Sequence, residues 1–204
     1  MPAGPRLLAL LSLALAAMCA AIVVSVSPTY EAARTLVIWT ARTSLVLFSL
    51  AYAARPLVQL RPSPAAKGLL SRRKWIGLGF AVSHAFHLAG IIWLASFDLD
   101  GFVSARGPTT LVAAMTFLLI FAMAVTSIEA IKRAMPTRAW RRLHWTGMQL
   151  SWLAFTTTYA GSVASHPLYA LPAAVLLGIG ALRAAAWWRA RQRRQSRADS
   201  RRAA

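Results

Sequence analysis

Residues 143–182 decide the fold, because these forty consecutive positions carry no charged side chain: LHWTGMQLSW LAFTTTYAGS VASHPLYALP AAVLLGIGAL. The hydrocarbon core of a bilayer is about 30 Å thick and is crossed by about 20 residues of α-helix. The stretch therefore predicts two membrane-spanning helices, at about 143–164 and 168–188, joined by a tight polar turn at Ser165-His166-Pro167.

Four more runs of similar length lie upstream, at about 7–28, 35–54, 75–97 and 107–128, and only the second contains a charge, Arg42. The sequence therefore predicts an all-α integral membrane protein. Its expected form is a six-helix bundle over residues 1–188, followed by a basic tail over 189–204. The first run, preceded by Arg6, is also compatible with a cleaved signal peptide, but its apolar length exceeds the 7–15 residues typical of a signal core and favours a retained helix.

The composition excludes a water-soluble globule. Of the 204 residues, 58% are hydrophobic and 14% are charged, whereas soluble domains carry roughly 25% charged residues. A nucleotide-binding domain of about 100–150 residues does not fit beside six spans. Any chemistry is therefore expected within the membrane part.

The basic residues predict the orientation in the membrane. Of the 23 Lys and Arg residues, twenty precede the first span, connect the second to the third or the fourth to the fifth, or lie between Arg183, near the end of the sixth span, and the C-terminus. Arg34 and Arg106 lie on the opposite side. Positive residues stay in the cytoplasm, so both termini are predicted to be cytoplasmic and the net charge of +18 indicates a lipid bilayer as partner rather than nucleic acid. The tail is either a plain anchor or a binder of anionic headgroups, at about 1 kcal/mol per basic residue.

Three histidines at membrane depth are the candidates for chemistry. His84 and His87 share one face of the third span, and His144 begins the fifth. Histidine is the commonest axial ligand of haem iron, and helical bundles build such sites from inward-facing side chains. The alternative is that these histidines only form hydrogen bonds between helices.

Several ordered motifs carry a family resemblance. These are Thr40-Ala41-Arg42, then Arg72-Arg73-Lys74-Trp75-Ile76-Gly77-Leu78 with His87, then Thr126-Ser127, then Trp140-Arg141-Arg142-Leu143-His144. From about Glu31 to the end of the sixth span, the chain resembles the ferric-reductase-like transmembrane domain family. It is most similar to the short haem-binding membrane subunits of bacterial periplasmic methionine-sulfoxide reductase systems.

The resemblance implies a component of an oxidoreductase in a bacterial inner membrane. Such proteins pass electrons from quinol or a cytoplasmic flavin through b-type haem, here toward a separate periplasmic protein. The implied haem ligands are His87, His144 and a second histidine of the fifth span, whose place is taken by Thr157. Arg42 is a candidate contact of a haem propionate or a quinol oxygen, since arginine suits carboxylates, or else a structural charge that binds carbonyls at a helix interface.

Depth along the helices leaves three interpretations open. With a rise of about 1.5 Å per residue, His87 and Thr157 lie about 20 and 22 Å from the basic clusters that open their spans, whereas His144 lies about 3 Å from its cluster. In the first interpretation, an outer haem is held by His87 alone. In the second, it is held by His84, at a depth of about 15 Å, together with Met148, at a depth of about 9 Å. The third interpretation is a haem-free scaffold or assembly partner that kept the helices and lost the cofactor.

Overall fold

The computed structural model describes residues 3–26, 29–105, 107 and 109–203, and these ranges contain helices and no strand. The all-α prediction is confirmed for them. Residues 27–28, at the end of the first predicted span, and Arg106 lie outside the described residues. The α-helices are α1 Ala3–Val26, α2 Tyr30–Leu60, α3 Pro64–Ala95, α4 Leu99–Ser104, α5 Thr109–Val125, α6 Glu129–Ala134, α7 Thr137–Gly161 and α8 Ala170–Ala203.

Each predicted span coincides with one of the six long helices, α1, α2, α3, α5, α7 and α8. Four segments are long and apolar enough to cross a bilayer: Gly4–Val26, Tyr30–Leu60, Pro64–Ala95 and Pro167–Ser196. Thr110–Val125 is apolar but shorter, and α7 is more polar because it carries Gln149 and three consecutive threonines. The helices therefore support a multi-pass membrane protein.

The connection between the second and third spans is more helical than the uncharged runs indicate. Only residues 61–63 interrupt α2 and α3, so most of the basic residues between these spans lie on helical extensions. Ser63 begins α3 because its Oγ accepts a hydrogen bond from the Ala66 N–H at 3.2 Å. Pro64 occupies the first helical turn, where a missing N–H costs nothing. Likewise, α8 continues through the basic tail to Ala203.

An aromatic cluster joins α2, α3 and α7 at the centre of the bundle. Phe48 is fully buried, and its ring centroid lies 5.2 Å from that of Tyr52, 5.5 Å from Phe80 and 5.2 Å from Phe155. Because α2 and α3 run side by side along most of their length, residues of α3 are held at fixed positions against α2.

Gly90 allows the close approach of α2 and α3 beside His87. A Cβ atom at this position would lie 2.6 Å from Leu36 Cδ2 and 3.2 Å from Val37 Cγ2. We expect Gly90→Val to push the helices apart and to cost about 1–3 kcal/mol of stability, as overpacking does. The measurement is the thermal unfolding midpoint in detergent, with Gly178→Val as the control because a Cβ there meets nothing within 4 Å. Equal midpoints for the two variants would contradict the close approach.

Candidate functional site

His87 of α3 is oriented by the backbone and a hydroxyl of α2. Its Nδ1 lies 3.1 Å from the Val37 carbonyl oxygen and 3.0 Å from Thr40 Oγ1. A carbonyl oxygen only accepts, so Nδ1 carries the hydrogen and donates it. The Thr40 hydroxyl donates to the Leu36 carbonyl at 2.6 Å, which leaves its oxygen free to accept as well. The lone pair of the His87 ring is therefore on Nε2.

His84 has the same tautomer, fixed by a chain of hydroxyl groups. Ser83 Oγ donates to the Thr40 carbonyl at 3.2 Å, and Ser44 Oγ donates to Ser83 Oγ at 2.8 Å. With its hydrogen used in this way, Ser44 Oγ accepts from His84 Nδ1 at 2.9 Å. Metal-ligating histidines are held in this manner, with one ring nitrogen donating to a neighbour and the other presented to the metal.

Three phenylalanine rings surround the two imidazoles. The centroid of His84 lies 4.7 Å from that of Phe80, 5.1 Å from Phe117 and 5.7 Å from Phe155. Phe117 also stacks on His87, with the centroids 6.1 Å apart and the planes 23° from parallel. The site is thus an apolar junction of α3, α5 and α7. Sequence reasoning missed Phe117 and Phe155, because an aromatic residue in an apolar run carries no motif.

Arg42 and Thr157 are not part of this junction. Residues two positions apart point to nearly opposite sides of a helix, so Arg42 faces away from Thr40 and Ser44. It is exposed, and its Cζ lies 5.0 Å above the Trp39 ring. Thr157 is also exposed and donates back to the Leu153 carbonyl at 2.9 Å. The contact of Arg42 with a haem propionate stays a prediction.

His144 has the opposite tautomer and lies in another part of the bundle. Thr126 Oγ1 donates to the Ala122 carbonyl at 2.7 Å and therefore accepts from His144 Nε2 at 3.2 Å. The Trp140 ring centroid lies 4.2 Å from that of His144. Because Nε2 is engaged, His144 presents only Nδ1, unlike His84 and His87.

A cavity of about 910 Å³ lies between the helices, at the end of the bundle where many basic residues gather. Its lining includes His144 and Met148 of α7 and Phe80 of α3, which lies one turn from His84. Basic residues of the connection between α2 and α3, of the α5–α7 connection and of α8 reach it. The clusters that the sequence places on one side of the membrane therefore meet at one end of the structure. We call this space the basic cavity.

Comparison with known proteins gives one match. The model of a family described as "Ferric reductase like transmembrane component" matches residues 38–155, more than half of the 204 residues. The matched range contains His84, His87 and His144. No curated protein and no solved structure matches the chain.

Proposed function

The chain belongs to the family of ferric reductase-like transmembrane components, and from this premise we propose that it transfers electrons across a membrane through b-type haem held at His87, with His84 as the alternative ligand. The observation that carries the proposal is the tautomer of both histidines. Each donates Nδ1–H to α2 and directs a free Nε2 lone pair away from it. This arrangement prepares an imidazole for iron.

The donor set fits a haem, whereas the space beside it would have to open, because Phe117 and Phe155 pack against His84 and neither His84 nor His87 lines the basic cavity. Bound haem iron supplies reversible one-electron chemistry, with a potential set by its ligands and by the polarity around it. Within the chain, the Nε2 atoms of His87 and His84 are alternative candidate ligands, because two histidines one turn apart on one helix cannot both bind the iron of one haem. Val37, Thr40 and Ser44 hold the rings in place. The Phe117 and Phe155 rings keep the surroundings apolar.

We further propose that all six long helices cross the membrane, with both termini in the cytoplasm of a bacterial cell. Two placements support this topology. Gly4, in the first turn of α1, lies against Trp75. Trp75 directly follows the basic cluster Arg72-Arg73-Lys74. At the other end of the chain, Arg183 of α8 reaches the basic cavity. Both terminal helices thus contact the basic end of the helical bundle, and the positive-inside rule assigns this end to the cytoplasm.

Quinol is the proposed electron donor and a separate periplasmic protein is the proposed acceptor. Both assignments rest on the resemblance to short haem-binding membrane subunits of methionine-sulfoxide reductase systems. Quinol is dissolved in the bilayer and can reach the helices directly.

A haem-free scaffold or assembly partner is the second candidate function. It is favoured by the packing of Phe117 and Phe155 against His84, because these rings fill the space beside the imidazole. It is also favoured by Thr157, because threonine is not a usual haem ligand and this side chain is exposed. Helix α7 therefore offers no ligand at the position where the family resemblance places a histidine.

A reduced-minus-oxidised absorption spectrum of the full chain, purified from haem-supplemented cells, distinguishes the two candidates. We expect a b-type haem band in proportion to the protein. A correctly inserted, monodisperse protein with no such band at any stoichiometry would instead identify the chain as a scaffold.

A further inference from the structure

The basic cavity gathers positive charge from five different helices. Its lining holds the following eight basic residues of α2, α3, α6, α7 and α8: Arg55, Arg73, Lys74, Lys132, Arg138, Arg141, Arg142 and Arg183. Glu129 is the one carboxylate among the described lining residues. The arrangement differs from that of the α8 tail, where exposed arginines such as Arg193 and Arg194 lie outside the cavity.

The lining does not neutralise its own charge. Glu129 already pairs with Lys132 at 3.7 Å and with Arg133 at 3.3 Å. The hydrogen bond from Arg133 and the nearby charge of Lys132 hold the pKa of Glu129 below its usual range, so this carboxylate stays ionised and engaged. The other cations of the cavity repel one another, and an anion from outside the chain would relieve that repulsion.

Two of the cations are fixed in position near the floor of the cavity. Arg73 Nε donates to the Ala51 carbonyl at 2.9 Å, and Arg183 Cζ lies 4.5 Å above the Tyr52 ring. Tyr52 is itself held by a hydrogen bond to Gln149 Oε1 at 2.9 Å. Because Ala51 and Tyr52 are adjacent on α2, the two guanidinium groups are anchored to the same turn of that helix. Paired guanidinium groups match the oxygens of a phosphate.

The rest of the cavity is apolar and lies at membrane depth. Its floor is formed by aromatic and aliphatic side chains of four helices: Phe48, Phe80, Ile120, Met123 and Met148. Trp140 and Trp145 stand among the basic residues, as tryptophans do at a membrane interface. A volume of about 910 Å³ exceeds the needs of a free phosphate ion and suits a ligand with an apolar body.

We propose that the basic cavity binds the phosphate headgroup of an anionic membrane lipid, with Arg73 and Arg183 as its principal contacts and the apolar floor receiving the start of the acyl chains. Basic pockets between membrane helices on the cytoplasmic side recognise phospholipid headgroups in this way. The proposal does not depend on haem at His87 or His84, because both lie outside the cavity lining, whereas His144, which lines it, is engaged through Nε2 by Thr126.

The test measures thermal stabilisation of the delipidated full chain by added lipid. Phosphatidylglycerol should raise the unfolding midpoint as a ligand of the folded state does, whereas phosphatidylcholine and inorganic phosphate should leave it unchanged. In the double variant Arg73→Gln/Arg183→Gln, the phosphatidylglycerol concentration needed for half the effect should rise about tenfold or more. The matched control is Arg193→Gln/Arg194→Gln in the tail, which should respond like the unmodified protein.

A second pair of measurements separates charge recognition from a folding defect. Arg73→Lys/Arg183→Lys keeps both charges and should lose less of the lipid response than the glutamine variant. Every variant should keep the haem content of the parent protein. An equal response of the cavity and tail variants would assign lipid binding to diffuse attraction and overturn the proposal. A full response to inorganic phosphate alone would overturn it in favour of a soluble ligand, and loss of haem from the glutamine variant would assign the cavity to haem.

Discussion

Replacing His87 by alanine is expected to remove the b-type haem band from the purified protein. The substitution deletes the free Nε2 and leaves the Val37 carbonyl and the Thr40 hydroxyl without their partner. His84 has its own hydrogen-bond chain through Ser44 and retains its place on α3. Since an axial bond to iron is the main anchor of a b-type haem, we expect haem occupancy to fall at least about tenfold. The measurement is the ratio of haem absorbance to protein in the reduced-minus-oxidised spectrum.

The control for this prediction is His166→Ala. His166 precedes the short 3₁₀ helix Pro167–Tyr169 and is exposed, so its removal should leave the haem content unchanged. A second variant, Thr40→Ala, removes a hydroxyl beside His87 without removing the ligand, and it should weaken haem binding about 10–100-fold. A His87→Ala protein with a full complement of haem would show that the ligand lies elsewhere, while the family assignment would stand.

A histidine at position 155 is expected to change the spin state of the bound haem. Phe155 is the residue of α7 that faces His84, with the ring centroids 5.7 Å apart. Phe155→His would therefore place a third imidazole at the junction of α3, α5 and α7, beside His84 and His87 and on a different helix. We expect a shift of the iron toward six-coordinate, low-spin absorption, because a haem held by a single histidine of α3 gains a second imidazole ligand from α7.

Thr157→His is the matched control on the same helix. The family resemblance places a histidine at position 157, but this residue is exposed and lies nearly opposite Phe155 around α7. We expect its spectrum to match that of the unmodified protein. If Thr157→His gave the low-spin spectrum and Phe155→His did not, position 157 rather than position 155 of α7 would face the histidines of α3, and the prediction would be contradicted.

The positions of the helices were predictable from the sequence because the relevant physics is local. A run of about 20 uncharged residues is sufficient to specify a long apolar helix, and each of the six runs coincides with a helix, four of which are long and apolar enough to cross a bilayer. The spacing of His84 and His87 likewise places them on one helical face. The gathering of the basic residues at one end also follows from counting charges in the connections.

The tertiary structure alone decided which side chains meet. A sequence gives the face of each helix but not its rotation toward the neighbouring helices, which depends on how all the side chains pack together. That rotation turns Arg42 and Thr157 outward, places Phe117 and Phe155 against His84, and engages His144 with Thr126. The basic cavity has the same origin, because its walls come from helices far apart in the chain that only packing brings around one space.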